Sequence, residues 1–196
     1  MKQTIFQNNL QDLIAALSSI GPEQLASGNQ AIEASQKALL DGKKLLACGN
    51  GGSAATVSHI INDLACHMKN WNRKGYRVFS LCESTSALTS LTNDYGFDEV
   101  FSKQVDALGD PGDVLWAFSS SGNSKNVIAA MHKAKSIGMC CVAFTGQKGG
   151  AMKEIADIWV GVPSDEVMRV EELHMIYAHC ISESVEAIVS PIGEPV

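Results

Sequence analysis

Apolar positions follow two different periods along this chain. Over residues 5–20 the residues Ile5, Leu10, Leu13, Ile14, Leu17 and Ile20 recur at helical spacing, and Gly21-Pro22 stops the pattern. A second helix is expected over 23–40, with Leu25, Ile32, Leu39 and Leu40 on its buried side and Asp41-Gly42 at its end. After that the pattern changes to short continuous apolar runs: LLAC at 45–48, a strand at 77–81, DVLWAF at 113–118, MCCVAF at 139–144 and DIWVGV at 157–162. The intervening segments read as helices: one after Ser53, one capped by Ser84-Thr85-Ser86 and broken by TNDYG at 92–96, then 98–108, 125–137, a brief one after Gly150, and a long one over about 165–189. Residues 68–76 (MKNWNRKGY) read as a polar loop carrying Trp71, Arg73 and Lys74.

Short apolar runs separated by helices indicate βαβ units and a parallel sheet covered on both faces. The expected fold is therefore α/β, a flavodoxin-like three-layer α/β/α sandwich of about five parallel strands with two N-terminal helices and a long C-terminal helix. No linker or composition shift divides it, so 1–196 is expected to be one domain, 1–42 being the N-terminal helices and 43–196 the α/β core. The two leading helices have at most one sheet face to pack on, so part of their apolar surface is expected to be covered by another subunit.

At 196 residues the chain can bury a substantial core without a metal or disulfide to hold it. A net charge of -6, with no Lys/Arg run longer than Lys43-Lys44, argues against direct nucleic-acid binding. The six cysteines sit within apolar runs and form no CxxC pair, which suits reduced, buried thiols in the cytoplasm. The amphipathic start MKQTIFQNNLQDLIAAL lacks the character of a secretory signal, and no apolar run approaches the 18 or so residues of a membrane span.

Ligand chemistry should gather at the carboxyl ends of the strands, where residues 49–53, 119–124 and 145–150 fall. SSSGNS at 119–124 is the sharpest motif: several hydroxyls and amides at one helix start suit a small anion such as phosphate, where a cap alone would need only one serine. GNGGS at 49–53 matches neither a dinucleotide fingerprint nor a Walker loop and by itself is equally a tight turn. His59 and Asp63, four apart on the following helix, read either as a polar pair on a solvated face or as acid/base or metal groups. The last helix supplies Glu171, Glu172, His174 and His179, and a site of His59, Asp63, one of the glutamates and His179 would suit zinc or a similar divalent ion. Spacing leaves the glutamate open: Glu172 shares a face with His179, whereas Glu171 needs a longer reach. His174 is equally able to cap or to fill an interface, and His132 reads as surface.

CGNGGSAATVSHIINDL, LTNDYGFDEVFSKQV, SSSGNSKNVIAAMHKAKSIGM, FTGQKGGAMKEIADIWVGVP and RVEELHMIYAH follow, in order, the pattern of the sugar isomerase (SIS) family, so that residues 40–190 resemble it. The resemblance implies an aldose–ketose isomerase, acting on sedoheptulose 7-phosphate to give a heptose 7-phosphate for lipopolysaccharide, and a homodimer or homotetramer. It places substrate contacts at Asn50, Gly51, Gly52, Ser53, Asn93 and Asp94, and the phosphate loop at Ser119, Ser120, Ser121 and Ser124. Its zinc ligands fall on His59, Asp63, Glu171 and His179, with Asp63 and His179 as the acid/base pair and Asp63 and Glu171 also touching substrate. Asp63 is one methylene shorter than the family's Glu, and Glu171 puts a charge where the family has Gln. The family's Arg falls near His67, with Lys69 or Arg73 as substitutes, and Met168 stands where the family has Asp. The alternatives are a non-catalytic SIS protein resembling the regulator that binds the bacterial replication initiator, and an isomerase of another sugar phosphate.

Overall fold

The computed structural model describes residues 4–66 and 74–189, so His67, Lys69, Trp71 and Arg73 lie outside the described residues. Two helices, α1 (Ile5–Ser18) and α2 (Pro22–Leu40), precede β1 (Leu45–Cys48), α3 (Gly52–Ala65), β2 (Val78–Ser80), α4 (Thr85–Tyr95), a 3-10 turn (Phe97–Glu99) and α5 (Ser102–Leu108). Then follow β3 (Val114–Phe118), α6 (Lys125–Ile137), β4 (Cys140–Thr145), α7 (Gly150–Ile155), β5 (Ile158–Gly161) and α8 (Val167–Val189). The five strands form one sheet in the order β2-β1-β3-β4-β5, every neighbouring pair parallel. The strand order reverses direction between β1 and β3, which puts the loops after these two strands side by side at the crevice where such sheets bind ligands.

Alternation along the strands divides the core. Leu45, Ala47, Val114, Trp116, Phe118, Val142 and Phe144 face α2, α3 and α8, whereas Leu46, Cys48, Leu115, Ala117, Cys141 and Ala143 face α5, α6 and α7. Trp116 buries its ring and donates from Nε1 to Ser35 Oγ of α2 at 3.1 Å, so its one polar atom is satisfied. At the amino end of the sheet Lys44, 6 % exposed, reaches Asp113 at 2.6 Å and Asp110 at 2.5 Å. Burial lowers the pKa of Lys44, but the two carboxylates outweigh it and hold the amine above its ordinary value.

Several boundaries depart from the periodicity. The α4 helix runs on through Asn93 and Asp94 to Tyr95, ending at Gly96 (φ 87°), so TNDYG is a last helical turn and not a break. The expected helix over 98–108 is a 3-10 turn followed by α5. On α2, Ile32 and Leu39 pack against the core as expected, but Leu25 and Leu40 are each 61 % exposed, and the buried side is completed by Gln36 and by the small residues Ala31, Ser35 and Ala38, which let the helix sit close to α8 and the sheet. No residue of α1 is fully buried: Leu13, Ala16, Leu17 and Ile20 cover the core edge while Ile5, Phe6, Leu10 and Ile14 face outward. All six cysteines are thiols. Burial pushes Cys141 up to about 12 and Cys48 well above its ordinary value, but Cys66 and Cys180 are exposed, contrary to the buried expectation. No helix among the described residues is long and apolar enough to cross a membrane.

Candidate active site

Ser119, Ser121 and Ser124, three of the four serines expected to hold a phosphate, bring their hydroxyls together. β3 ends in buried Ser119, whose Oγ lies 3.0 Å from Ser124 Oγ and 3.5 Å from Ser121 Oγ. Ser124 occupies the N-cap of α6 but makes no side-chain cap bond, so its hydroxyl joins the serine cluster and leaves the amide end of the helix to another acceptor. The loop after β4 braces this cluster: Gly146 N–H donates to Ser120 O at 3.0 Å, Met152 N–H to Gly122 O at 3.0 Å and Ala151 N–H to Asn123 Oδ1 at 3.0 Å. Gly122 has φ 66°, and a Cβ there would come within 2.0 Å of Gly149 O. The two loops can meet only because this residue has no side chain. Ser120, Ser121, Asn123, Lys148, Gly150, Asp165 and Val167 line an open cavity beside it, where Lys148 pairs with Asp165 at 3.1 Å.

The loop after β1 is equally tight. A Cβ on Gly49 would meet Ser53 Cβ at 2.8 Å and Phe118 Cβ at 3.2 Å, and Gly51 has φ 54°. Asn50 exchanges two amide hydrogen bonds with Asn126 of α6, each 2.9 Å. Asn126 is 2 % exposed and was not singled out from the sequence, because a lone Asn after an N-cap carries no spacing signal.

Helices α3 and α8 lie side by side, and their contacts come in two places. At one end the Glu171 carboxylate rests on Gly52, so that a Cβ there would meet Oε2 at 2.3 Å. At the other, His59 Nε2 and His179 Nε2 are 2.9 Å apart, and Asp63 Oδ2 lies 3.4 Å from the first and 3.6 Å from the second. Gly52 to His59 is seven residues and Glu171 to His179 eight, so the helices run in the same direction, with the two contacts about 10–12 Å apart along them. Three of the four expected metal ligands therefore converge, and Glu171 does not join them: more than two helical turns separate it from His179. Glu172, the alternative, instead accepts from Arg169 at 2.8 Å.

The three converging groups offer one ligand atom each, all within 4.8 Å of one another. A tetrahedral zinc ion with bonds of about 2.0–2.2 Å has ligand atoms about 3.3–3.6 Å apart. Asp63 stands at that spacing from both imidazoles, at 3.4 and 3.6 Å, whereas the two ring nitrogens, 2.9 Å apart, would have to open by about 0.4 Å to share such an ion. Asn93 and Asp94 are exposed on α4 and bonded to one another at 2.8 Å, with no hydrogen bond to the loops after β1 or β3 among the described residues. His174 is neither cap nor interface: it is 1 % exposed, edge-on to Phe118 and Phe144, and burial lowers its pKa to about 4. His132 is exposed, as expected.

A doubly wound parallel sheet, a serine cluster at one helix start and a His–Asp–His group between two parallel helices place the protein among α/β domains with polar chemistry at the carboxyl ends of their strands. The family model described as SIS domain matches residues 8–146, and the chain belongs to that family. A phosphoheptose isomerase of Shewanella sp. (strain ANA-3) is 41 % identical over 192 residues, covering 96 % of this chain and 95 % of its own. Among solved structures, the phosphoheptose isomerase GmhA from Neisseria gonorrhoeae has a TM-score of 0.87 at 36 % identity, covering 92 % of this chain and 96 % of its own. A phosphoheptose isomerase from Francisella tularensis has a TM-score of 0.83 at 32 % identity over 92 % and 93 %.

Proposed function

We propose that the protein is a phosphosugar isomerase that converts sedoheptulose 7-phosphate to D-glycero-D-manno-heptose 7-phosphate for lipopolysaccharide heptose. The convergence of His59, Asp63 and His179 in a chain 41 % identical to phosphoheptose isomerases carries this reading. Ser119, Ser120, Ser121 and Ser124, with the first amides of α6, hold the phosphate. Residues 50–53, and Glu171 beside them, take the sugar hydroxyls, and Asn93 and Asp94 serve as contacts from α4. A domain that only binds phosphosugars would need the serine cluster but not the His–Asp–His group, which favours the enzyme.

The reaction moves a carbonyl from C2 to C1. Asp63 removes a proton from C1, and His179 moves the hydroxyl proton from O1 to O2 as the enediolate forms and collapses; return of the carbon proton to C2 gives the aldose with no net gain or loss of atoms. His59, within 3.4 Å of Asp63 and 2.9 Å of His179, orients both. His59, Asp63 and His179 would hold a divalent ion such as zinc, which when bound supplies charge to stabilise oxygen anions. The outward apolar face of α1 supports a homo-oligomer built on the N-terminal helices of a single 1–196 domain, and sugar-phosphate chemistry fits a cytoplasmic protein. Turnover of sedoheptulose 7-phosphate by the purified protein, and its loss by a factor of about 10² to 10⁴ in Asp63→Ala and His179→Ala, tests the reading. Full turnover in both variants, or none in the parent protein, would falsify it.

A further inference from the structure

The loop after β1 is joined to the first turn of α6, which follows the loop after β3, by a half-buried amide pair. Asn50 Nδ2 donates to Asn126 Oδ1 and Asn126 Nδ2 donates to Asn50 Oδ1, each at 2.9 Å. Asn126 Oδ1 also accepts the Val127 amide at 3.0 Å, which fixes the orientation of its amide group. At 2 % exposure this amide must have its donors and acceptors met, and only a residue with both can serve both ends of Asn50. Helix formation alone asks for none of this at the first turn of α6, where an aspartate or serine would do as well.

We propose that Asn126 is a positioning residue and, with Asn50, sets the chain length of the phosphosugar accepted. This rests on the reading of the ligand as a sugar phosphate. The phosphate is anchored on residues 119–124 and the sugar on residues 50–53, so the separation of these loops decides which carbon of the chain lies opposite the reacting groups. The paired strands β1 and β3 set that separation as far as Cys48 and Ala117; beyond them the Asn50–Asn126 pair carries it into the loops. Releasing it leaves each half-site intact but uncouples them.

Dissociation constants for sedoheptulose 7-phosphate, fructose 6-phosphate and inorganic phosphate, measured by calorimetry, separate these contributions. The proteins compared are the parent, Asn126→Asp, Asn126→Ala, Asn50→Ala and the double Ala variant, each with its thermal midpoint. Asn126→Asp is isosteric and keeps the two acceptor bonds while turning a carboxylate oxygen toward Asn50 Oδ1, so it breaks the pair at a cost in stability that the thermal midpoint reads. The expected result is at least tenfold weaker binding of the preferred sugar phosphate in every variant, with inorganic phosphate within twofold, a smaller preference between the seven- and six-carbon ligands, and a double variant no weaker than the weaker single. Equal weakening of phosphate and sugar phosphate, unchanged sugar-phosphate binding in folded Asn126→Asp, or additive effects in the double variant overturns the proposal. Preference of the parent protein for the six-carbon ligand would instead sink the heptose reading, with the loop coupling then read on that ligand.

Discussion

His59 and His179 face each other Nε2 to Nε2 at 2.9 Å although 120 residues of chain separate them. Two neutral rings can share only one proton at that distance, and Asp63 within 3.6 Å of both adds an acceptor to the same point. The seam between parallel α3 and α8 thus has a His–Asp–His end and, about two turns away, a charged end where Glu171 meets Gly52.

Zinc binding should depend on three residues. In chelator-treated protein, added zinc is expected to bind and to raise the thermal midpoint, by the equivalent of about 2.7 kcal/mol at a hundredfold excess over Kd. His59→Ala, Asp63→Ala and His179→Ala should each lose that shift in a thermal scan, and zinc binding as tight as in the parent protein in all three would rule the site out.

Glu171→Gln should leave zinc affinity unchanged, because the carboxylate lies at Gly52 and outside the His–Asp–His group. Its negative charge sits at the amino end of α3, where an anion is worth roughly 0.3–1 kcal/mol, so urea unfolding should show a loss of that size. A zinc affinity that falls tenfold or more in this variant would mean that Glu171 ligates the ion.

Two glycines make a graded pair. Gly52→Ala brings a Cβ against the movable end of Glu171 and should cost about 1 kcal/mol or less, whereas Gly122→Ala drives one into the Gly149 carbonyl at positive φ. The second should destabilise the protein by about 3 kcal/mol or more, since neither backbone can give way cheaply. Chemical denaturation of the two variants side by side reads the difference.

Asp113→Ala should be strongly destabilising, about 3 kcal/mol or more, because it leaves the buried Lys44 amine with only the exposed Asp110 as counter-charge and also removes the acceptor of the Lys44 and Asp110 amides. Asp113→Ala combined with Lys44→Met should recover part of the loss in the denaturation midpoint; no recovery would mean that the amide bonds, not the ion pair, matter.

His174 gives a pH dependence with a definite sign. Its folded pKa is about 4 against an ordinary 6.5, so between these values the unfolded chain binds more protons and stability rises with pH. The stabilisation is complete above pH 6.5 and is lost as pH falls toward 4, by an amount on the order of 3 kcal/mol. Urea unfolding at pH 4.5, 5.5 and 7 should show that slope in the parent protein and a flatter one in His174→Phe. Equal slopes would assign the acid sensitivity elsewhere.

The layers, strand number and parallel pairing were legible because runs such as VLWAF and CVAF are too short for buried helices and alternate with amphipathic segments. The serine loop was legible too, since its residues are consecutive and one strand end delivers them together. Leu25 misled, because its helical spacing says which face it shares but not whether a neighbour reaches that far down α2. Asn93 and Asp94 looked like a break from their composition, yet α4 carries them as its last turn because Gly96 supplies the left-handed stop one residue later.

The order of local elements and the residue types able to do proton and phosphate chemistry were set by the sequence alone, since both depend on neighbours within a few positions. Which of those residues meet was decided by tertiary structure. His59, Asp63 and His179 converge, Glu171 falls at Gly52, and Asn50 finds Asn126 76 residues away. Such partners depend on the direction and stagger with which α3 packs against α8 and on the loop spacing across β1 and β3, and these are set by core packing summed over the whole chain.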